Sequence, residues 1–206
     1  MDYNDKLNMS FIKDLIEEGD ILVDVGACLG DYTKFYIDKL GTTGLIYSLE
    51  LYPSTYNRLN DRFKNHENVI VLNLAASDVD GEVALYKGID EYTNNIIGHD
   101  MNFKPNQQEG KIASTRLDTL LKRHNRIKMV KIDVEGAEYR VLKSMKGIIR
   151  NIDYILLECH LNEDWPEIRK LLLSEYQLDC VNIKTKETIT LNSPRPYQCL
   201  CRQMND

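Results

Sequence analysis

The sequence has no apolar run long enough to cross a membrane. Its strongly apolar stretches are four or five residues long, against the roughly 18 that a spanning helix needs. It also lacks a basic excess: 26 lysines and arginines face 32 aspartates and glutamates, for a formal net charge of −6. That balance disfavours a globally electrostatic interaction with DNA or RNA. No CxxC pair occurs, and the five cysteines (Cys28, Cys159, Cys180, Cys199 and Cys201) are odd in number. They are expected to be free thiols in a reducing compartment rather than a disulfide frame or a zinc cage. Cys199 and Cys201 would share one face of a strand and read as packing. The opening MDYNDKLNMS is acidic and amide-rich where a secretory leader would be basic and then apolar. The expected location is cytoplasmic, and no membrane partner is expected. There is no internal repeat and no low-complexity tract.

What is present is an ordinary globular balance, with 43% hydrophobic and 28% charged residues over 206 positions. One domain spanning 1–206 is expected. Phe11, Ile12, Leu15 and Ile16 keep helical spacing within an N-terminal helical segment (1–19), which Gly19 closes. Strands are expected at 21–25, 45–49, 69–72, 83–86, 129–134 and 154–159. Helices alternate with them, on faces marked by Tyr32, Phe35, Tyr36 and Leu40, by Tyr56, Leu59 and Phe63, and by Ala137, Val141, Met145 and Ile148. After His160, residues 161–206 give a helix capped at Asp164 and then short strands near 179–183, 187–191 and 197–201. This alternation predicts an α/β fold with a mainly parallel sheet and an antiparallel tail. Residues 87–114 break the rhythm: they are polar and aperiodic, as a functional lid would be.

Three short segments carry chemistry. In the first, Val23-Asp24-Val25-Gly26-Ala27-Cys28-Leu29-Gly30-Asp31-Tyr32-Thr33, a strand runs through a glycine turn into a helix, where a ligand can approach the backbone closely. Glu50 ends the second strand, 20 residues after Gly30, and is placed to accept hydrogen bonds from a ribose diol. The turn lacks the middle glycine of the dinucleotide fingerprint. Asp24 at the strand tip would repel a diphosphate but attract an amino group. S-adenosylmethionine, which has an ammonium, a sulfonium and a ribose but no phosphate, suits this site better than NAD. The second segment is Lys131-Ile132-Asp133-Val134-Glu135-Gly136-Ala137-Glu138. A helix dipole alone would account for Glu135 or Glu138; it accounts less well for Asp133, which follows an apolar strand into the same crevice. In the third segment Glu158 and His160 lie two apart on a strand and point to one side.

These segments resemble the FkbM-like family of class I S-adenosylmethionine-dependent methyltransferases. The resemblance rests on Gly19-Asp20, Val23–Ala27 with Gly30, Tyr32 and Thr33, Asn68–Asp78 with Gly81, Leu117–Leu121, Lys131–Glu138, and Leu157-Glu158 with His160. It implies a doubly wound, seven-stranded, Rossmann-like sheet and methyl transfer to a hydroxyl of a sugar or other small metabolite. It places Asp24, Gly26 and Gly30 around the methionine end of the cofactor, Glu50 at the ribose, and Leu51, Ala75 and Ala76 at the adenine; Ala27, Cys28, Tyr32, Thr33 and Asp133 complete the expected cofactor-binding set. The chain departs from the family pattern at Cys28, where asparagine is frequent, and at Glu50-Leu51-Tyr52-Pro53, where Glu-Pro is frequent.

The expected reaction is an in-line displacement at the sulfonium methyl by an acceptor oxygen, leaving S-adenosylhomocysteine. His160 is the first candidate for general base because its ordinary pKa is near neutrality, with Asp133 and Glu135 beside it. A version in which Asp133, Glu158 and His160 bind Mg²⁺ or Mn²⁺ is the less favoured form. The rival readings are an S-adenosylmethionine-binding module without catalysis, an RNA methyltransferase using Lys111, Arg116, Lys122, Arg123, Arg126, Lys128 and Lys131, and, third, an NAD-dependent oxidoreductase.

Overall fold

The computed structural model describes residues 3–90, 93–99 and 104–204. The chain runs α1 (Tyr3–Ile12), β1 (Ile21–Val25), α2 (Asp31–Leu40), β2 (Leu45–Leu49), α3 (Pro53–Phe63), β3 (Val69–Leu72), β4 (Ala75–Ala76), β5 (Gly81–Lys87) and β6 (Gln107–Thr115). It continues through α4 (Leu117–Leu120), β7 (Ile127–Ile132), α5 (Glu138–Lys143), β8 (Ile152–Glu158), α6 (Trp165–Lys170), β9 (Leu178–Asn182) and β10 (Gln198–Gln203). The main sheet has seven strands in the order β3-β2-β1-β7-β8-β10-β9. Every pairing from β3 to β8 is parallel, and β10 runs antiparallel to both β8 and β9. A second sheet, β4-β6-β5, stands beside it.

Parallel strands joined by helical crossovers are covered on both faces, so they are buried along nearly their whole length. β7 is buried at all six positions and β1 at four of five. One cluster (Val23, Val25, Val130, Ile132, Ile155, Leu157) packs on one face of the sheet, and another (Leu22, Met129, Leu156, Tyr36, Leu40) on the other. Strand order reverses between β1 and β7, which are hydrogen-bonded neighbours. That switch opens a crevice at the carboxyl ends of these strands.

The sheet agrees with the sequence reading in class, in strand number and in its antiparallel strand. Four details differ. α1 ends at Ile12, and the chain reaches Gly19 through turns. Residues 187–191 form no strand; Thr188 makes a single bridge to Val181. The 87–114 segment is not one irregular stretch, because Gln107–Thr115 pairs with β5 as a hairpin; residues 91–92 and 100–103 of it lie outside the described part. Finally, Cys180 and Cys201 are joined in a disulfide, whereas five free thiols were expected. The two face each other across the β9–β10 register, a proximity that linear spacing does not reveal. Cys28, Cys159 and Cys199 take part in no disulfide.

Candidate active site

The crevice is lined by Gly26, Cys28, Glu50, Leu51, Ala75 and Ala76 on one wall and by Asp133, Val134, Glu135 and Ala137 on the other. Asn94 and Ile96, from the segment between β5 and β6, also reach it. The first wall is built from backbone. Gly26 has φ +77, and a Cβ there would lie 1.7 Å from the Asp133 carbonyl oxygen. Only glycine lets the β1 turn pass this close to the end of β7. The amides of Gly26 and Ala27 both donate to the Leu49 carbonyl, Gly30 donates to Ala27, and Cys28 donates to Glu50 Oε2 at 2.9 Å. Glu50 Oε1 accepts a second amide, from Tyr52, at 2.8 Å. Burial drives the Glu50 carboxyl up to about pH 7 against the pull of these two amides. Because the turn spends its amides internally, it offers no nest for a pyrophosphate. The residues therefore fit a phosphate-free nucleoside cofactor better than a dinucleotide.

Five of the residues assigned to the cofactor stand behind this wall. Asp24 is fully buried: Thr33 donates to its Oδ2 at 2.9 Å, and Lys131 Nζ lies 3.6 Å from its Oδ1. Thr33 is also bonded to Ser48. The Tyr32 ring lies under the Lys131 ammonium, and its hydroxyl accepts from Asn8. Gly30 is closed off by Leu59 and Phe63, and Ala27 packs in the same cluster. These residues shape the turn, while Gly26, Cys28, Glu50, Leu51, Ala75, Ala76 and Asp133 face the crevice.

The second wall is a network of charged side chains. His160 is almost wholly enclosed, with its Nδ1 2.7 Å from Glu138 Oε1. Its Nε2 faces Glu158 Oε1 at 3.5 Å and Asp133 Oδ1 and Glu135 Oε1, each at 3.7 Å. Burial alone would lower the imidazole pKa. The bonds to Glu138 and Glu158 and the surrounding negative charge outweigh it and hold the pKa near 11. The near-neutral value expected from sequence for His160 is thus shifted upward by this environment, toward the charged form. Glu135 goes the other way: burial lifts its carboxyl to about 7, although His160 pulls it down. Its backbone is left-handed, with φ +53, as is that of Cys28 across the crevice, with φ +47. Such non-glycine residues cost about 1–3 kcal/mol each and collect at functional sites.

Sequence reasoning undervalued three members of this wall. Lys131 read as part of a basic stretch; it is a buried ammonium bonded to Asp133 Oδ2 at 3.1 Å and to the Gly26 carbonyl at 3.2 Å. Its signal was its place beside Val130 and Ile132 in a buried strand, just before Asp133. Glu138 read as a helix-dipole partner, yet it is buried and also accepts from the Gly136 amide at 3.0 Å. Gln198, on β10, donates to Glu158 Oε2 at 2.9 Å, and no local pattern announces it. Asp133, Glu158 and His160 each turn one ligand atom toward a common point, all within 4.8 Å of one another.

A family model described as the methyltransferase FkbM domain matches residues 24–180. The hexuronic acid methyltransferase AglP of Haloferax volcanii is 24% identical over 159 residues, covering 76% of this chain and 62% of that protein. A crystal structure of methyltransferase FkbM from Methylobacillus flagellatus superposes with a TM-score of 0.56 at 16% identity, covering 91% of this chain and 44% of that one. A putative rRNA methylase from Clostridium thermocellum gives 0.57 at 12% identity, with 100% and 99% covered. The chain thus spans less than two thirds of AglP and under half of the Methylobacillus protein. At these identities the structural matches speak to the fold.

Proposed function

Since the chain belongs to the FkbM methyltransferase family, we propose that it transfers the methyl group of S-adenosylmethionine to a hydroxyl of a sugar, a uronic acid being the favoured class. The carrying observation is that Glu50 and Glu135 line opposite walls of one crevice. One ends β2 and is suited to a ribose, its carboxyl also raised to about 7 by burial. The other is a carboxyl poised near neutrality. The hexuronic acid specificity in the name of the Haloferax relative supports the choice of acceptor. When bound, the cofactor supplies an activated methyl on a good leaving group, so alignment can account for most of the acceleration. Glu50 would hold the ribose diol, and Leu51, Ala75 and Ala76 would flank the adenine. Glu135 would take the hydroxyl proton, and His160 would fix Glu135 and Asp133 as a positioning residue. The RNA reading loses its footing, because Arg116 pairs with Asp118, Arg126 and Lys128 with Asp153, and Lys131 is buried.

Calorimetric titration with S-adenosylmethionine and, separately, NAD⁺, followed by methyl-transfer assays on glucuronic and galacturonic acid glycosides, tests the reading. Micromolar binding of S-adenosylmethionine alone, with product formed on a uronic acid, is expected. Binding of NAD⁺ only, or of neither ligand, would overturn it. Cofactor binding without turnover on any hydroxylated acceptor would point to the non-catalytic module.

A further inference from the structure

We propose that the point where Asp133 Oδ1, Glu158 Oε1 and His160 Nε2 converge is a site for one hard divalent cation of the Mg²⁺ or Mn²⁺ class, which holds the acceptor's oxygens. The three residues sit at or just past the ends of β7 and β8, and one ligand atom from each lies within 4.8 Å of the others. Nε2 is 3.5 Å from Glu158 Oε1 and 3.7 Å from Asp133 Oδ1. Charge-assisted hydrogen bonds are shorter, about 2.7–2.9 Å. Octahedral ligands about 2.1 Å from a cation sit about 3.0 Å apart when adjacent and about 4.2 Å apart when opposite. The two separations match neither value, so the side chains must close by a few tenths of an ångström to become adjacent ligands.

The atoms that do not converge are each held from behind. Asp133 Oδ2 is bonded to Lys131, Glu158 Oε2 to Gln198 and His160 Nδ1 to Glu138. Carboxylate support on the remote nitrogen of an imidazole is a recurring device for aiming the other nitrogen at a metal. The imidazole side chain is only 3% exposed, so this aim is rigid. Two carboxylates and one imidazole suit a hard or borderline ion, and three protein ligands leave room for two acceptor oxygens.

Charge supplies a separate argument. Asp133, Glu135, Glu138 and Glu158 surround His160, with Lys131 as the other cation of the group. An anionic acceptor would be repelled by such a wall, and a divalent ion between them reconciles the two. The ion's role rests on the methyl-transfer reading; its binding does not.

The test is titration of the intact chain with Mn²⁺, followed by the loss of the free-ion paramagnetic resonance signal, with and without S-adenosylmethionine. One ion per chain is expected at sub-millimolar affinity. Glu158→Gln and His160→Gln should each weaken it at least tenfold. Gln198→Ala, which alters only the support behind Glu158, should weaken it by about 10–100-fold. Thermal melting checks that each variant is folded. No bound ion in the wild-type chain at millimolar Mn²⁺, or binding indifferent to both ligand variants, overturns the site. Mn²⁺ binding that persists while S-adenosylmethionine fails to bind would sink the methyl-transfer reading and leave the cation site standing.

Discussion

The two walls of the crevice handle buried charge in opposite ways. On the β1–β2 side, Glu50 is held by two backbone amides, and the turn closes through its own carbonyls. On the β7–β8 side, charge is held by other side chains: His160 by Glu138, Asp133 by Lys131, Glu158 by Gln198. Backbone partners are fixed by the fold and cannot retitrate. Side-chain partners set one another's protonation and can hand on a proton or an ion. The first wall is thus suited to constant recognition and the second to chemistry.

That division can be broken by experiment. The largest expected effect is at Glu135→Gln, which should lower kcat by about 10²–10⁴ and leave S-adenosylmethionine affinity within about threefold. In the unaltered enzyme, kcat should climb as pH rises through about 7, because Glu135 accepts a proton only once it has lost its own. A pH-independent rate, or an unchanged kcat in the variant, would move the base elsewhere. Next is Gly26→Ala, whose methyl would collide with the Asp133 carbonyl at 1.7 Å. It should cost about 3 kcal/mol or more in urea unfolding; a variant of normal stability would show that the two walls can separate. The smallest is Glu50→Gln, expected to weaken cofactor binding about tenfold, or about 1.4 kcal/mol, with kcat at saturation little altered. If it cut kcat as deeply as Glu135→Gln, recognition and chemistry would not divide along this line.

The same contrast explains what the sequence made legible. The glycine turn, Glu50 and the strand–helix alternation are local patterns, and they led to the sheet and to the first wall of the crevice. The other wall assembles from distant segments. Glu138 lies 22 residues before His160, and Gln198 lies 40 after Glu158. Lys131 reaches back to Gly26 across 105 residues. Without those neighbours His160 keeps its ordinary pKa, and it was read as a base for that reason. The disulfide failed the same way, since Cys180 and Cys201 meet only through antiparallel register. Asp24 and Thr33 were legible as a motif, but only packing shows that they serve the turn from behind.

β10 follows every other described strand in sequence, yet it lies inside the sheet between β8 and β9. On the ribosome, the edge of β8 therefore stays unpaired until residues 198–203 have emerged. Pairing these strands is a long-range event that cannot begin early. Gln198 travels on β10, so the clasp on Glu158 arrives with it. A nascent chain stopped short of that strand carries the glycine turn and Glu50 but not the finished second wall. Synthesis order thus puts the recognition half of the crevice before the reactive half.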